Sequence, residues 1–327
     1  MTFRRNVSRP GGSAIGVTAG QSTGVAAGLA AAFAVGLAAP ALGQEGGPPS
    51  GVTGESESGG LSFTFNAAAS TFLDADLGPG EVGRSFFDSG LAVTFSPSDR
   101  WRLTVDLSGS WGEYDFSRQT FAGAGTDDLV TDVYEAGIGL RALHFVSRDF
   151  GWVFGASVRS SGDPDIDFDD GLVGSGFVAA RWQRSREFAW SLGVLVSSQL
   201  EDDVRVIPFI GVDWDINDRL SLNSSGPGAR LGYEVSEDVT AFLGFNFDSG
   251  DYRLADDSPV AGGVLRDDRL AVELGLRFQP NAGTTIELAA GVLAYNDIEV
   301  LDADGIEVFQ DEADPSAMFR LSLSVDF

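Results

Sequence analysis

The chain has 327 residues, with 48 acidic and 21 basic side chains, one histidine, no cysteine and a formal net charge of −27. That acidity excludes ordinary binding to a nucleic-acid backbone, which needs a basic footprint. The absence of cysteine excludes disulfide frameworks, thiol catalysis and cysteine-ligated zinc, and a lone histidine excludes multi-histidine metal sites. Hydrophobic residues make up 43% of the chain, enough to bury a large apolar surface, so wholesale disorder is not expected.

The N-terminus reads as a processing segment. Arg4, Arg5 and Arg9 form a positive region, an apolar run follows over residues 25–39, and Ala41 and Gly43 supply small residues at a cleavage site after Gly43. Residues 1–43 are therefore expected to be an export signal. The alternative is a membrane anchor, but the run falls short of the roughly 20 apolar residues that a spanning helix needs. The Arg4-Arg5 pair lacks the rest of a twin-arginine motif. Residues 44–60 (QEGGPPSGVTGESESGG) have the Gly, Pro, Ser and Glu content of a flexible leader.

From Leu61 to Phe327 the hydropathy period is two. Trp101, Leu103, Val105 and Leu107 alternate with Arg102, Thr104, Asp106 and Ser108. Ala241, Leu243, Phe245 and Phe247 face Thr240, Gly244 and Asn246 across their strand, and Leu270 to Phe278 alternate in the same way. The final strand sets Ala317, Phe319, Leu321, Leu323, Val325 and Phe327 against Met318, Arg320, Ser322, Ser324 and Asp326. None of these segments shows the i, i+3, i+4 spacing of a helix. Short polar turns are expected at 97–100, 147–150, 184–188, 217–219, 236–238 and 280–283. Longer acidic or glycine-rich loops are expected at 72–84, 117–132, 162–170, 201–205, 253–267 and 297–314. A further reversal at 224–229 (SSGPGA) completes the alternation. The expected fold is an all-β, closed antiparallel transmembrane β-barrel over 61–327, with about 14 strands, or about 12 if that hairpin fails to span.

A soluble β-sandwich also alternates. Three features favour a membrane barrel. Short turns at one end and long loops at the other are the outer-membrane pattern. Trp101, Trp152, Trp182, Trp190 and Trp214 each lie close to a short turn on the apolar parity of their strands, as an interfacial girdle would. Tyr114, Tyr134, Tyr252 and Tyr295 lie near the long loops, but only Tyr134 has clear outward parity, so the opposite girdle is thinner. The terminal Phe327 on an alternating strand resembles the C-terminal signal read by the barrel assembly machinery of Gram-negative outer membranes. Residues 226–254 (GPGARLGYEVSEDVTAFLGFNFDSGDYRL), followed by 264–268, resemble a domain family of unknown function found in outer-membrane proteins. That resemblance covers the C-terminal third. It implies a β-barrel and transfers no catalytic residue.

Inward parity collects Asp106, Glu135, Arg141, Arg159, Arg181, Asp213, Asp215, Glu273, Arg277, Glu287 and Arg320. Outward parity is nearly free of charge, as expected where a lipid-facing charge costs about 2–4 kcal/mol. These charges suit a water-filled lumen. They equally suit a lumen closed by arginine–carboxylate pairs, since both signs occur in similar number. The only histidine, His144, lies just before a short turn with outward parity and reads as an interfacial side chain rather than a general base. Asp163, Asp165, Asp167 and Asp169 form a D-x-D-x-D run that could hold calcium, but Phe168 and Gly174 break the EF-hand pattern, and a solvated acidic loop is the simpler reading.

No cofactor and no catalytic residue are expected. The expected function is a passive porin-like pore for ions or small polar solutes, with modest cation preference set by acidic loop tips. Those tips hold Asp127, Asp128, Asp132, Asp163, Asp165, Asp167, Asp169, Asp170, Asp256, Asp257, Asp311 and Glu312. The alternative is a non-conducting barrel that presents acidic loops. Expected partners are outer-membrane lipid, lipopolysaccharide and the assembly machinery, with no nucleic acid.

Overall fold

The computed structural model describes residues 60–117 and 129–327. The expected signal and leader, and the loop carboxylates Asp127 and Asp128, lie outside those residues. The described chain forms β1 (Leu61–Leu77), β2 (Gly80–Ser98), β3 (Trp101–Ser117), β4 (Asp132–Phe145) and β5 (Phe150–Gly162). It continues through β6 (Leu172–Gln183), β7 (Phe188–Gln199), β8 (Asp202–Asn217), β9 (Leu220–Ser225) and β10 (Gly228–Ser236). Then follow β11 (Val239–Arg253), β12 (Val264–Asn281), β13 (Thr284–Leu301), β14 (Glu307–Glu312) and β15 (Ser316–Asp326).

Neighbours in sequence pair antiparallel from β1 to β13. β13 pairs β15, and β15 pairs β1 through Thr64↔Asp326 to Phe72↔Met318, which closes the barrel. β14 and β15 share one lane against β13: Asp297↔Glu312 and Leu293↔Ser316 keep the same register. Pro315 lies in the break between them, where its missing N–H interrupts the ladder. The barrel thus has 14 lanes, and closure leaves lipid no terminal edge to satisfy.

Several segments expected to be loops are strand. β1 and β2 run on through 72–84 to a tight turn at Gly78-Pro79, and β7 meets β8 at Gln199↔Asp202. β12 begins at Val264 and β13 reaches Leu301, so both enter segments read as loops. Carboxylates and glycines suggested loops there, but register to a neighbouring strand supplies the ladder that local propensity lacks. The SSGPGA reversal does form the β9–β10 hairpin, with Ser225↔Gly228 closing around Gly226 and Pro227. Gly226 has φ +59° and Gly78 has φ +55°, each followed by proline. This order, positive φ and then a fixed negative φ, is that of a II′ hairpin turn.

The outward face carries Val105, Leu107, Ile138, Leu140, Val158, Leu192, Leu243, Leu274, Leu288 and Leu321, all exposed. In a soluble protein so continuous an apolar exterior would aggregate; around a barrel it is a lipid belt. Trp101, Trp152, Trp182, Trp190 and Trp214 border it at the short-turn end, whereas Trp111 lies towards the other end, opposite Tyr134. Trp101 stacks on His144 with centroids 4.3 Å apart, His144 is in register with Trp152, and Trp182 stacks on Trp190 at 4.3 Å. Trp214 meets Phe188 edge-on.

The buried core is inside the barrel near the long-loop end. Ala75, Leu77, Val82 and Phe86 from β1 and β2, and Tyr114, Phe116 and Val133 from β3 and β4, pack against Tyr252, Leu254, Leu265, Ile298 and Val300. Tyr114 and Tyr252, expected near an outer girdle, are inward and buried in this cluster, their rings edge-on at 6.1 Å.

Candidate functional site: the barrel lumen and its closure

Alternation places every one of the expected inward charges on the lumen side of its strand, and register brings most of them into groups. Glu273 and Glu287 sit on neighbouring strands among three arginines. Arg230 reaches Glu287 at 2.8 Å and Glu273 at 3.4 Å, Arg277 reaches Glu287 at 2.6 Å, and Arg320 reaches Glu273 at 3.0 Å. Arg230 also lies over the Phe242 ring at 4.1 Å. Across the lumen Arg181 pairs with Asp213 at 2.5 Å, and Asn223 donates to the same carboxylate at 2.5 Å. Arg159 pairs with Glu135 at 2.9 Å. Asp106 and Arg141 lie on the adjoining lanes β3 and β4, and Asp215 is exposed near the β8–β9 turn. Low dielectric favours this pairing, since an isolated charge on such a wall is costly.

A second polar group was not foreseen and is the most buried. Arg84 on β2 donates to both oxygens of Asp267 on β12 at 2.6 Å, with both side chains essentially inaccessible. Tyr114 donates to Asp267 at 2.6 Å, and Arg84 also reaches Asn296 at 3.2 Å. Arg269 pairs with Asp248 and lies over the Phe86 ring at 4.5 Å. These contacts join β2 and β3 to β11, β12 and β13 through the middle of the barrel. Arg84 and Asp267 were missed because their segments were read as loops. Extending the β2 alternation one step upstream of Phe86, and the β12 alternation above Arg269, finds them.

The outer ends of β11–β13 fold inward. Their lipid-side parity carries Asp251, Arg266 and Glu299, three charges that a lipid face would not bear. Arg266 reaches Asp251 at 3.1 Å and Glu299 at 2.6 Å, and both Arg266 and Asp251 are buried. Val264 and Leu301, on that same parity, pack against Val173 of β6 and Leu200 of the β7–β8 turn. The tip of β11 docks on β5: Arg253 pairs in parallel with Gly162, Asp163 N–H donates to Arg253 O at 2.8 Å, and Ser161 Oγ donates to Asp251 O at 2.6 Å. One face of the β11–β13 ends therefore meets the inside of β1–β4, and the other meets the inside of β5–β8. Of the two lumens that the sequence allows, water-filled or closed, the outer end is the filled one.

At the acidic rim, Asp163 Oδ1 accepts from Asp165 N–H at 2.9 Å, an Asx-turn. Burial pushes the Asp163 carboxyl up; that N–H lowers it in part, and the carboxylates of Asp165, Asp257 and Asp132 raise it further. Among the described residues no three His, Cys, Asp or Glu side chains gather as a metal site. His144 lies in the interfacial belt against Trp101.

No curated protein matches the chain. Solved structures similar to it include the COG4313 outer membrane channel from Pseudomonas putida F1, at 10% identity over 83% of this chain and 96% of that one, TM-score 0.45. The Pseudomonas putida toluene transporter TodX is similar at 11% identity over 82% and 89%, TM-score 0.40. The NanC porin is similar at 10% over 80% and 98%, TM-score 0.35. A family model, domain of unknown function DUF6268, matches residues 99–327, well beyond the C-terminal third that carried the resemblance in sequence. The chain, a closed 14-lane β-barrel with an ion-paired interior, belongs to the DUF6268 family.

Proposed function

We propose that the barrel is a porin-like channel of the Gram-negative outer membrane, passing ions and small solutes with a modest preference for cations. Residues 1–43 would be removed on export, and lipopolysaccharide would surround the acidic rim. The observation that carries this reading is the contrast between the two faces of one wall. The outside is uniformly apolar, whereas the inside holds Arg141, Asp106, Arg181, Asp213, Asn223 and the Glu273–Glu287 cluster. A barrel that only stabilised the envelope could fill its interior with apolar side chains at no desolvation cost. The cation preference rests on Asp132, Asp163, Asp165, Asp167, Asp169, Asp170, Asp256, Asp257, Asp311 and Glu312 at the rim, which raise local cation concentration. The inward-folded β11–β13 ends make this conformation a closed one, so small and intermittent conductance is expected.

The packed outer end favours a second reading, a non-conducting barrel that presents acidic loops. Planar bilayers with purified protein separate the two. Discrete steps with a cation-biased reversal potential support the channel. A silent barrel supports the structural reading; discrete steps with an anion preference unaffected by neutralising the rim aspartates would keep the channel and remove the cation preference. Cation bias should fade at high salt, as the screening length falls from about 10 Å at 0.1 M to about 3 Å at 1 M.

A further inference from the structure

The β9–β10 hairpin is much shorter than the strands on either side of it. β9 has 6 residues and β10 has 9, against 16 in β8 and 15 in β11. Pairing of β8 with β9 stops at Val212↔Ser224, and pairing of β10 with β11 stops at Ala229↔Phe245. Above the hairpin, among the described residues, no strand pairs with β8 on that side, and the outer part of β11 docks on β5 instead. The wall therefore carries a notch, bounded by the β8 edge, the Gly226-Pro227 turn and the outer part of β11.

This notch lies at membrane height. Trp214 stands in the interfacial girdle on the same strand, and Val206 is about 26 Å further along it, or about 20 Å in height at a tilt near 40°, within an apolar band about 25 Å tall. Val206 and Ile210 are 65% and 66% exposed on the lipid side, among the most exposed aliphatic side chains of the barrel.

The open edge has a definite phase. Asp215 N–H donates to Glu187 O beside β7, whereas Val212 N–H donates to Ser224 Oγ across β9. As far as the bulge below Arg205, even-numbered residues therefore turn their backbone groups toward the notch: Val206, Pro208 and Ile210. Lipid cannot satisfy such an edge; irregular or unpaired backbone at membrane depth is tolerated where it borders water or protein. Pro208 has no N–H to offer an added strand, and proline on an edge is a device against strand addition. The edge is thus suited to an opening rather than to a partner strand. Behind it are polar groups: a narrow crevice of about 10 Å³, room for about one water, is lined by Arg159, Ser197, Gln199, Arg205, Ser249 and Asp251 among others. Gln199 Oε1 and Arg159 Nε, both buried there, have no hydrogen-bond partner among the described residues.

We propose that the notch between β8 and β11 is a lateral doorway through which small, mainly apolar molecules carrying a hydrogen-bonding group pass between the outer leaflet and the barrel interior. Val204, Val206 and Ile210 form an apolar lip that such a molecule reaches from lipid, and the polar lining behind the lip receives its hydrogen-bonding group. The inward fold of β11–β13 fills the axial route and leaves the β8 edge unpaired, so one rearrangement sets both, and passage widens the narrow crevice behind the lip. This deepens the channel reading and rests on it.

The probe is N-phenyl-1-naphthylamine, an apolar amine that fluoresces in membranes and is held back by an intact lipopolysaccharide leaflet. Uptake is followed in cells making the full chain, the empty vector, or the double variants Val206→Lys/Ile210→Lys and Val206→Trp/Ile210→Trp. Leu274→Lys, an equally exposed lipid-facing change away from the notch, is the control. Barrel assembly is verified by heat-modifiable gel mobility, and ion conductance is measured in parallel. Wild type and Leu274→Lys should take up the probe several-fold faster than the vector. A charged or blocked lip should return uptake to the vector rate with ion conductance unchanged. Uptake at the wild-type rate in both lip variants, or equal loss in Leu274→Lys, overturns the doorway. Ion conductance without any protein-dependent uptake overturns it while leaving the channel standing. Absence of both removes the channel reading and the doorway with it.

Discussion

The Arg84–Asp267 pair fastens the inward-folded β12 to the wall at β2, and Asp267→Asn tests how much it holds. The substitution keeps shape and leaves an oxygen for the Tyr114 hydroxyl, but it strands the Arg84 guanidinium in a site where both partners are inaccessible. Breaking a buried pair on one side costs about 3–5 kcal/mol, because the remaining charge is uncompensated. At about 1.4 kcal/mol per tenfold, that is a loss of about two to three and a half orders of magnitude in the folding equilibrium. Removing both charges, with Arg84→Met and Asp267→Asn together, should restore most of the loss, since an apolar replacement of a buried pair is often near neutral. Some deficit should persist, because Asn296 loses the donor it has in Arg84 at 3.2 Å, and an unmet buried acceptor costs about 1–3 kcal/mol. Urea titrations of the barrel in vesicles, read by tryptophan fluorescence at constant slope, give both numbers. The single variant should also conduct more readily, because the filled end is held less tightly. A single-variant loss below about 1 kcal/mol, the range of a solvated surface pair, would refute the reasoning. So would a double variant no more stable than the single one.

Three further outcomes are expected. Phe327→Ala should lower outer-membrane yield far more than Leu274→Ala, although both side chains are mostly exposed, at 75% and 65%; equal yields would remove the terminal-signal reading. Glu273→Gln should free Arg230 and Arg320 from their shared carboxylate and shift the reversal potential toward anions, and an unchanged potential would mean that this cluster lies off the ion path. Asp163 binds its proton more readily than an ordinary aspartate, mainly through burial, so on acidification it loses charge before an ordinary rim aspartate does, and cation preference should begin to weaken there. The sign for stability is the same: the packed loop is favoured with Asp163 protonated, and that contribution is lost as pH rises through its raised pKa. Identical pH titrations of selectivity in Asp163→Asn and wild type would exclude a role for this group.

The wall of this barrel could be read from the sequence because each strand follows one rule, apolar outward and polar inward, and the rule is enforced separately at each position by lipid. The tryptophan belt and the charges Glu273, Glu287 and Arg320 follow from parity alone. The inward fold obeys a different logic. Asp251, Arg266 and Glu299 have outward parity, and as single positions they look like loop charges near a rim. They become intelligible together, once Arg266 is seen bridging the other two and Val264 and Leu301 are seen covering Val173 and Leu200. Period-two alternation states which side of its own sheet a residue faces. It carries no information on whether that side meets lipid or the opposite wall, because burial against protein admits apolar groups and paired charges alike. The discriminating signal is charge on outward parity, which lipid would exclude and a protein interior accepts when paired. By that criterion the run of outward charges at the outer ends of β11, β12 and β13 already contains the fold-in. The 6-residue β9 beside a 16-residue β8 contains its consequence, a wall left open on one side.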